Sequence, residues 1–343
     1  MLHRKMALTL GLGCIVLLAS TAAQAQYQLT NLDSNQVGWA RHTDPVLVNG
    51  WGLAYGPGGP IWVADQGSGW STIYDGSGVK QGLEVEVPSA TDFGTGSPTG
   101  IVFNGSNEFP VKGWNSVFIF ATLDGTISGW SPVSDLNNSI IAVTNNGAVY
   151  TGLAITNKPS GNFIYAADVA NNKVDVYDGT FTWVKSFTDV ALPAGFAPFG
   201  IEDIGGLVYV AFASTSGGAG GVIDVFGEDG TFVKTLAQGK HLNQPWGITV
   251  APSNFGPLSN TLLISNNTNT GTINGFNATT GAWVGTMKDT TGKVIHIDQL
   301  WGIRFGGGAH ANGDRNQLFF AAGPKNNLVG TFGAIRFKPG PKK

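Results

Sequence analysis

A glycine followed by an aliphatic residue, often preceded by an aromatic one, recurs through this chain at a nearly constant interval. GWGLAY at 50, SPTGIVF at 97, VYTGLAI at 149, APFGIED at 197, QPWGITV at 244 and QLWGIRF at 299 align on Gly52, Gly100, Gly152, Gly200, Gly247 and Gly302, spaced 47 to 55 residues apart. Self-similarity at such a period specifies a solenoid or a propeller before any local propensity is considered. Each copy is followed by a second apolar run: PIWVAD, SVFIFA, NFIYAAD, LVYVAFA, TLLISN and QLFFAAG. A third run ends in an aromatic residue and a turn, as in STIYDGSG, KVDVYDGT, VIDVFGEDG and TINGFNATTG, and a more polar fourth follows in LEVEVPS, FVKTLAQ and AWVGTMK.

Four short β-branched and aromatic strands per unit, punctuated by Asp-Gly and Asn-rich turns, predict an all-β, six-bladed β-propeller with four-stranded blades. The sixth copy stops after its third strand, FGAIRF at 332 to 337, while an orphan strand, YQLTNL at 27 to 32, precedes the first. Ring closure by the N-terminal strand is therefore expected, because a linear array would leave both outer edges open. Only 12% of residues are charged although 51 are glycine, against a usual charged share of about 25%, which fits buried strands joined by tight turns.

His3, Arg4 and Lys5, an apolar run from Met6 to Ala19, and Ala23-Gln24-Ala25 before Gln26 have the order of a secretory signal. The run is shorter than the ~20 residues that cross a bilayer. The expected organisation is residues 1–25 as signal, 26–338 as one propeller domain and 339–343 as a short basic tail. No transmembrane segment is expected once the signal is removed, and the destination is periplasmic or extracellular. The single cysteine, Cys14, falls in the signal, so the exported chain has no disulfide. The net charge of −3 becomes more acidic when Arg4 and Lys5 are removed, which makes nucleic acid a poor partner. A monomer is expected.

The units resemble NHL-type blades in the Pro-x-Gly-Ile strand of QPWGITVAP, the strand end of IWVADQ and the turn of VYDG. Over longer strings, HTDPVLVNGWGLAYGPGGPIWVADQGSG, LNQPWGITVAPSNFGPLSNTLLISNN, DQLWGIRFGGG and LFFAAGP resemble a family of exported bacterial six-bladed propellers, over essentially the whole chain after the signal. Two turns depart from that family. Asn266-Asn267-Thr268-Asn269 and Lys325-Asn326-Asn327 stand where relatives tend to carry acid-rich turns, which weakens any cation site there.

Strand alternation in the innermost strand is expected to send Ile248 and Val250 between blades and Gly247 and Thr249 to the channel. The same register puts Ala54, Val102, Ala154, Glu202, Thr249 and Arg304 on the channel wall. Glu202 and Arg304 are then either a polar clamp for an axial ligand or a pair in a wet channel. Trp51, Trp246, Trp301 and Phe199 occupy one repeat position near the channel mouth. They offer either a stacking surface for a flat ligand or, by their parity with Ile248, packing between blades. Asp65, Asp168 and Asn266 end second strands, where they serve as calcium ligands or as turn caps. His42, His241 and His296 each lie shortly before a blade begins, and their positions permit convergence on one face.

The sequence holds no nucleophile elbow and no zinc-binding histidine spacing. The favoured function is an exported scaffold that binds a protein, peptide or glycan on one face or at the channel mouth. The alternative is a metal-dependent hydrolase or lyase, lactonase-like, with a divalent cation such as calcium at the channel, for which Glu202 and Asp203 are the candidate ligands.

Overall fold

The computed structural model describes residues 26–91, 94–156, 158 and 161–340. The proposed signal, residues 1–25, and the last three residues of the basic tail lie outside them. Six sheets surround one axis. Blade one consists of Gly50–Ala54, Ile61–Asp65, Trp70–Tyr74 and Val85–Glu86, in that order from the axis outward. Blades two to five repeat the plan, their inner strands being Pro98–Phe103, Tyr150–Ile155, Phe196–Ile204 and Pro245–Val250.

Blade six is completed from the other end of the chain. Its strands Leu300–Phe305, Gln317–Ala322 and Thr331–Lys338 are followed by Gln26–Ser34, which pairs antiparallel from Gln26 opposite Lys338 to Ser34 opposite Thr331. The closure expected from the orphan strand is thus present. A fifth short strand, His42–Thr43, lies parallel to it on the outside, a pairing the repeat did not predict.

Six apolar clusters fill the six interfaces between blades, and their membership corrects the expected register. The residue after each repeat glycine packs against the preceding blade: Leu53 with Phe319 and Phe332, Ile201 with Tyr165 and Val176. The next residue packs against the following blade: Ala54 with Phe118 and Phe120, Val102 with Leu153 and Ile164, Ala154 with Val208 and Val210. Ala54, Val102 and Ala154 therefore belong to the cores between blades and not to the channel wall. A blade is covered on both faces, so strand alternation chooses between two neighbours, and only the edge of the sheet turns to the axis.

The repeat glycines are explained by close approach of adjacent inner strands. A Cβ at Gly52 would lie 2.6 Å from the carbonyl oxygen of Thr99, at Gly200 1.9 Å from that of Trp246, and at Gly302 2.4 Å from that of Trp51. The last contact closes the circle from blade six to blade one. Among the described residues no helix is long and apolar enough to cross a membrane.

Candidate functional site: the channel ends and the blade-five cleft

Each inner strand begins with an irregularity next to the residue that precedes the repeat glycine, an aromatic one in four of the six blades. In the three tryptophan blades the register shifts between Gly50 and Leu53, between Pro245 and Ile248, and between Leu300 and Ile303. Such bulges break the two-residue period. Trp51, Trp246 and Trp301 therefore leave the interfaces between blades, where parity placed them, and meet one another on the axis with Phe199 and Leu123. Trp51 and Trp301 stack with ring centroids 3.5 Å apart, and Trp246 stands edge-on to them at 6.1 and 6.0 Å. Phe199 closes the remaining side, 6.4 Å from Trp51 and 5.6 Å from Trp301.

The three indoles are buried and mostly anchored, and Phe199 is part-buried. Trp301 Nε1 donates to Asn49 Oδ1 at 3.0 Å and Trp246 Nε1 to the carbonyl of Thr151 at 2.9 Å, while Trp51 Nε1 is buried without a partner. They plug this mouth, and the indole faces are not open to a ligand. Behind the plug, the wall is made of Gly52, Gly100, Gly247 and Gly302 with Leu53, Ile101, Ile201, Ile248 and Ile303. The space between them is about 30 Å³, room for little more than one water.

Glu202 and Arg304 lie at the opposite end of the same wall, where Arg304 Nη1 donates to Glu202 Oε1 at 3.4 Å. Both side chains keep about a third of their surface exposed, 31% and 34%. The guanidinium also sits 5.6 Å from the ring centroid of Tyr55, whose hydroxyl donates to the carbonyl of Phe305 at 2.7 Å. Burial pushes the Glu202 carboxyl up, against the pull of Arg304 and with a contribution from Asp203. Thr249, expected beside them, is absent from the lining of this space and is part-exposed near the end of its strand.

Asp203 follows Glu202 in an extended strand and so faces the other side of the sheet. Its carboxyl is pushed up by burial and opposed by Lys158. Among the described residues no group of three or more His, Cys, Asp or Glu side chains has the arrangement of a metal site. Asp65, Asp168 and Asn266 act on the backbone: Asp65 Oδ2 accepts from the Thr72 amide at 3.0 Å, Asp168 Oδ1 from that of Val149 at 3.1 Å, and Asn266 Oδ1 from that of Asn243 at 3.0 Å.

Two of the three histidines converge. His241, in the connection into blade five, and His296, in the connection into blade six, line one cleft of about 360 Å³ on the side of the disc where the inner strands begin. His42 is exposed on the outer strand of blade six and does not line it. The Trp283 ring lies parallel to His241 at 4.1 Å, with an interplanar angle of 3°. The cleft floor comes from Asn266, Thr268, Thr270, Thr272 and Asn274. They come from the hairpin between the second and third strands of blade five, whose two strand ends and turn bring five polar side chains into one place. That stretch was visible in the sequence but reads there as turn chemistry.

A second missed feature precedes each tryptophan. Asn49, Gln244 and Gln299 have φ of 50°, 51° and 49°, a region that few residues other than glycine enter. The turn aims their carbonyls at the amides of Gln66, Asn267 and Gly323, at 3.1, 2.9 and 2.9 Å. This ties the start of each inner strand to the end of the second. The shared signal is an amide side chain two positions before the tryptophan.

The chain is 30% identical over 336 residues to "Uncharacterized protein R648" of Acanthamoeba polyphaga mimivirus, covering 91% of this chain and 81% of that protein. It belongs to that family. A second mimivirus member, "Uncharacterized protein R640", is 33% identical over 269 residues, covering 71% of this chain and about half, 48%, of that protein. No protein-family model matches the chain. Among solved structures, a streptogramin B lyase superposes with a TM-score of 0.54 at 14% identity, over 93% of this chain and 100% of that one. A gluconolactonase from Xanthomonas campestris gives 0.55 at 12%, over 84% and 86%. These likenesses show the propeller fold alone.

Proposed function

We propose that the protein is an exported binding propeller with NHL-like blades, which captures a glycan on the side of the disc where the inner strands begin. The observation that carries this reading is the blade-five cleft, a space lined mostly by polar residues, into which three separate segments of the chain bring His241, His296, Asn266 and Asn274. Its volume falls in the ~300–1,000 Å³ range of small-ligand clefts, and its many hydrogen-bonding side chains suit a hydroxyl-rich ligand. The axis supports no comparable site, since aromatics close one end and a single ion pair occupies the other. The metal-enzyme alternative gains nothing from Glu202, whose nearest charged neighbour across the lumen is a guanidinium that would repel a cation.

Isothermal titration calorimetry of the purified chain against a panel of soluble oligosaccharides tests the reading. Binding by wild type, lost in the double variant His241→Ala/His296→Ala with an unchanged circular dichroism spectrum, is expected. Wild-type binding undiminished in that variant would move the site elsewhere. Export is tested separately by fusing residues 1–25 to a reporter enzyme active only outside the cytoplasm; reporter activity that stays in the cytoplasm would overturn it.

A further inference from the structure

Hydrogen bonds inside the blade-five cleft leave side-chain donors free, and a lysine without an acidic partner among the described residues lies beside them. Three acceptors of the wall are already engaged. Asn266 Oδ1 accepts from the Asn243 amide at 3.0 Å, and Asn274 Oδ1 accepts from Trp283 Nε1 at 3.3 Å and from Thr286 Oγ1 at 2.5 Å. The carbonyl of Thr270 faces His296 Nδ1 at 3.1 Å. Donors remain. Thr272 Oγ1 accepts from both Asn266 Nδ2 and Asn274 Nδ2, at 3.2 and 3.1 Å. Its own hydroxyl hydrogen is therefore directed away from both amides, and one hydrogen of Asn274 Nδ2 is also left over.

The charges lean the same way. Lys240 lines the cleft beside His241 and His296 and is, among the described residues, the one Lys or Arg in its lining, where no residue is Asp or Glu. Lys240 makes no ion pair among the described residues. This is unusual on a chain that carries 22 acidic against 19 basic side chains. A pocket that holds free donors and one lysine without an acidic partner is matched by a ligand that brings acceptors and negative charge, because charge-assisted hydrogen bonds to an anion are stronger than neutral ones.

We infer that the cleft binds an acidic saccharide through its carboxylate or sulfate group, with Lys240 and His296 meeting the anion and Thr272 and Asn274 donating to ring oxygens. This rests on the glycan-binding reading above and names the class of glycan. Buried Asn266 and Asn274, 5% and 3% exposed, hold the floor in place before a ligand arrives, so little ordering is required on binding.

The test is calorimetry of the full chain with three probes: oligogalacturonate for the carboxylate, a heparin-derived oligosaccharide for the sulfate, and cellohexaose as the neutral comparison. At least one acidic probe is expected to bind about tenfold or more tightly than cellohexaose, the effect of one charge-assisted hydrogen bond. Lys240→Ala and His296→Ala, both at exposed positions, are each expected to reduce that preference at unchanged melting temperature, while Arg41→Ala, exposed on blade six, leaves it intact. Equal binding of acidic and neutral probes would overturn the acidic class and keep the glycan reading. No binding of any saccharide would overturn both. A preference that survives Lys240→Ala and His296→Ala, or falls equally in Arg41→Ala, would overturn this cleft as its source.

Discussion

The two ends of the central channel are built from the same six strands and have opposite chemistry. At one end the residue before each repeat glycine is turned inward by a bulge, and four aromatic rings meet in a buried plug. At the other end Glu202 and Arg304 are the charged residues that line the lumen, with about a third of each side chain in solvent. The plug is stabilised by burial and by a few hydrogen bonds that have no aqueous substitute. The charged end lies where water competes for every contact. Perturbing the first should therefore be expensive and perturbing the second nearly silent.

The largest effect is expected where the ring itself is tightest. Gly200→Ala places a Cβ 1.9 Å from the carbonyl oxygen of Trp246, and backbone, unlike the end of a side chain, does not move aside. Gly152→Ala is a matched control, since its Cβ would lie 3.1 Å from the carbonyl oxygen of Phe199. Overpacking of this kind costs ~3 kcal/mol or more when backbone must shift. Thermal melts followed by circular dichroism should show Gly200→Ala unfolded or strongly destabilised and Gly152→Ala much closer to wild type. Equal melting of the two variants would break the link between glycine and strand approach.

The plug comes next. Trp301→Ala removes a stacked, 3% exposed ring from the centre of the aromatic cluster, at an expected cost of ~3–5 kcal/mol. Asn49→Ala keeps the rings but leaves Trp301 Nε1 without its acceptor, a loss of ~1–3 kcal/mol for an unsatisfied buried donor. Asn49→Gly removes the same bond while suiting the φ of 50° at this position, so it separates the hydrogen bond from backbone strain. Denaturant titration should rank Trp301→Ala as the most damaging and Asn49→Gly as milder than Asn49→Ala. Trp301→Ala within ~1 kcal/mol of wild type would mean that the plug is not a structural centre.

Most of the fold was legible because it rests on periodicity: the glycines, the strand runs and the unpaired strand at each end of the chain give six blades and their closure. The destination of the tryptophans was not legible. Parity counting places Trp246 with Ile248, and only the bulge between them sends one to the axis and the other to a blade interface. Glu202 and Arg304 were found because charge breaks a repeat that is otherwise small or apolar. Asp203 was grouped with Glu202 as a metal candidate, although adjacent residues in a strand face opposite ways. In the cleft, His241 and His296 were visible as single residues. Lys240, Thr272 and Asn274 were not, because two connections between blades and a hairpin within blade five supply the wall and no contiguous string records their meeting.

The smallest effect is expected at Glu202, and its sign depends on pH. The folded protein holds the Glu202 carboxyl above its ordinary value of 4.5, mainly through burial and in spite of Arg304. The folded state therefore keeps this proton to a higher pH than the unfolded chain does, and stability from this site falls as pH rises from the unfolded value to the folded one, then levels. Glu202→Gln should melt with wild type near pH 4 and be equal or slightly more stable at pH 7, by less than ~1 kcal/mol because the group is part-exposed. Arg304→Met removes the opposing charge, so Glu202 should titrate higher still and the fall in stability with pH should steepen. Denaturation midpoints measured from pH 4 to pH 8 read both slopes. A Glu202→Gln protein clearly less stable than wild type at pH 7 would show the ion pair to be a net support of the fold, and would make the two ends of the channel alike in energy while they differ in chemistry.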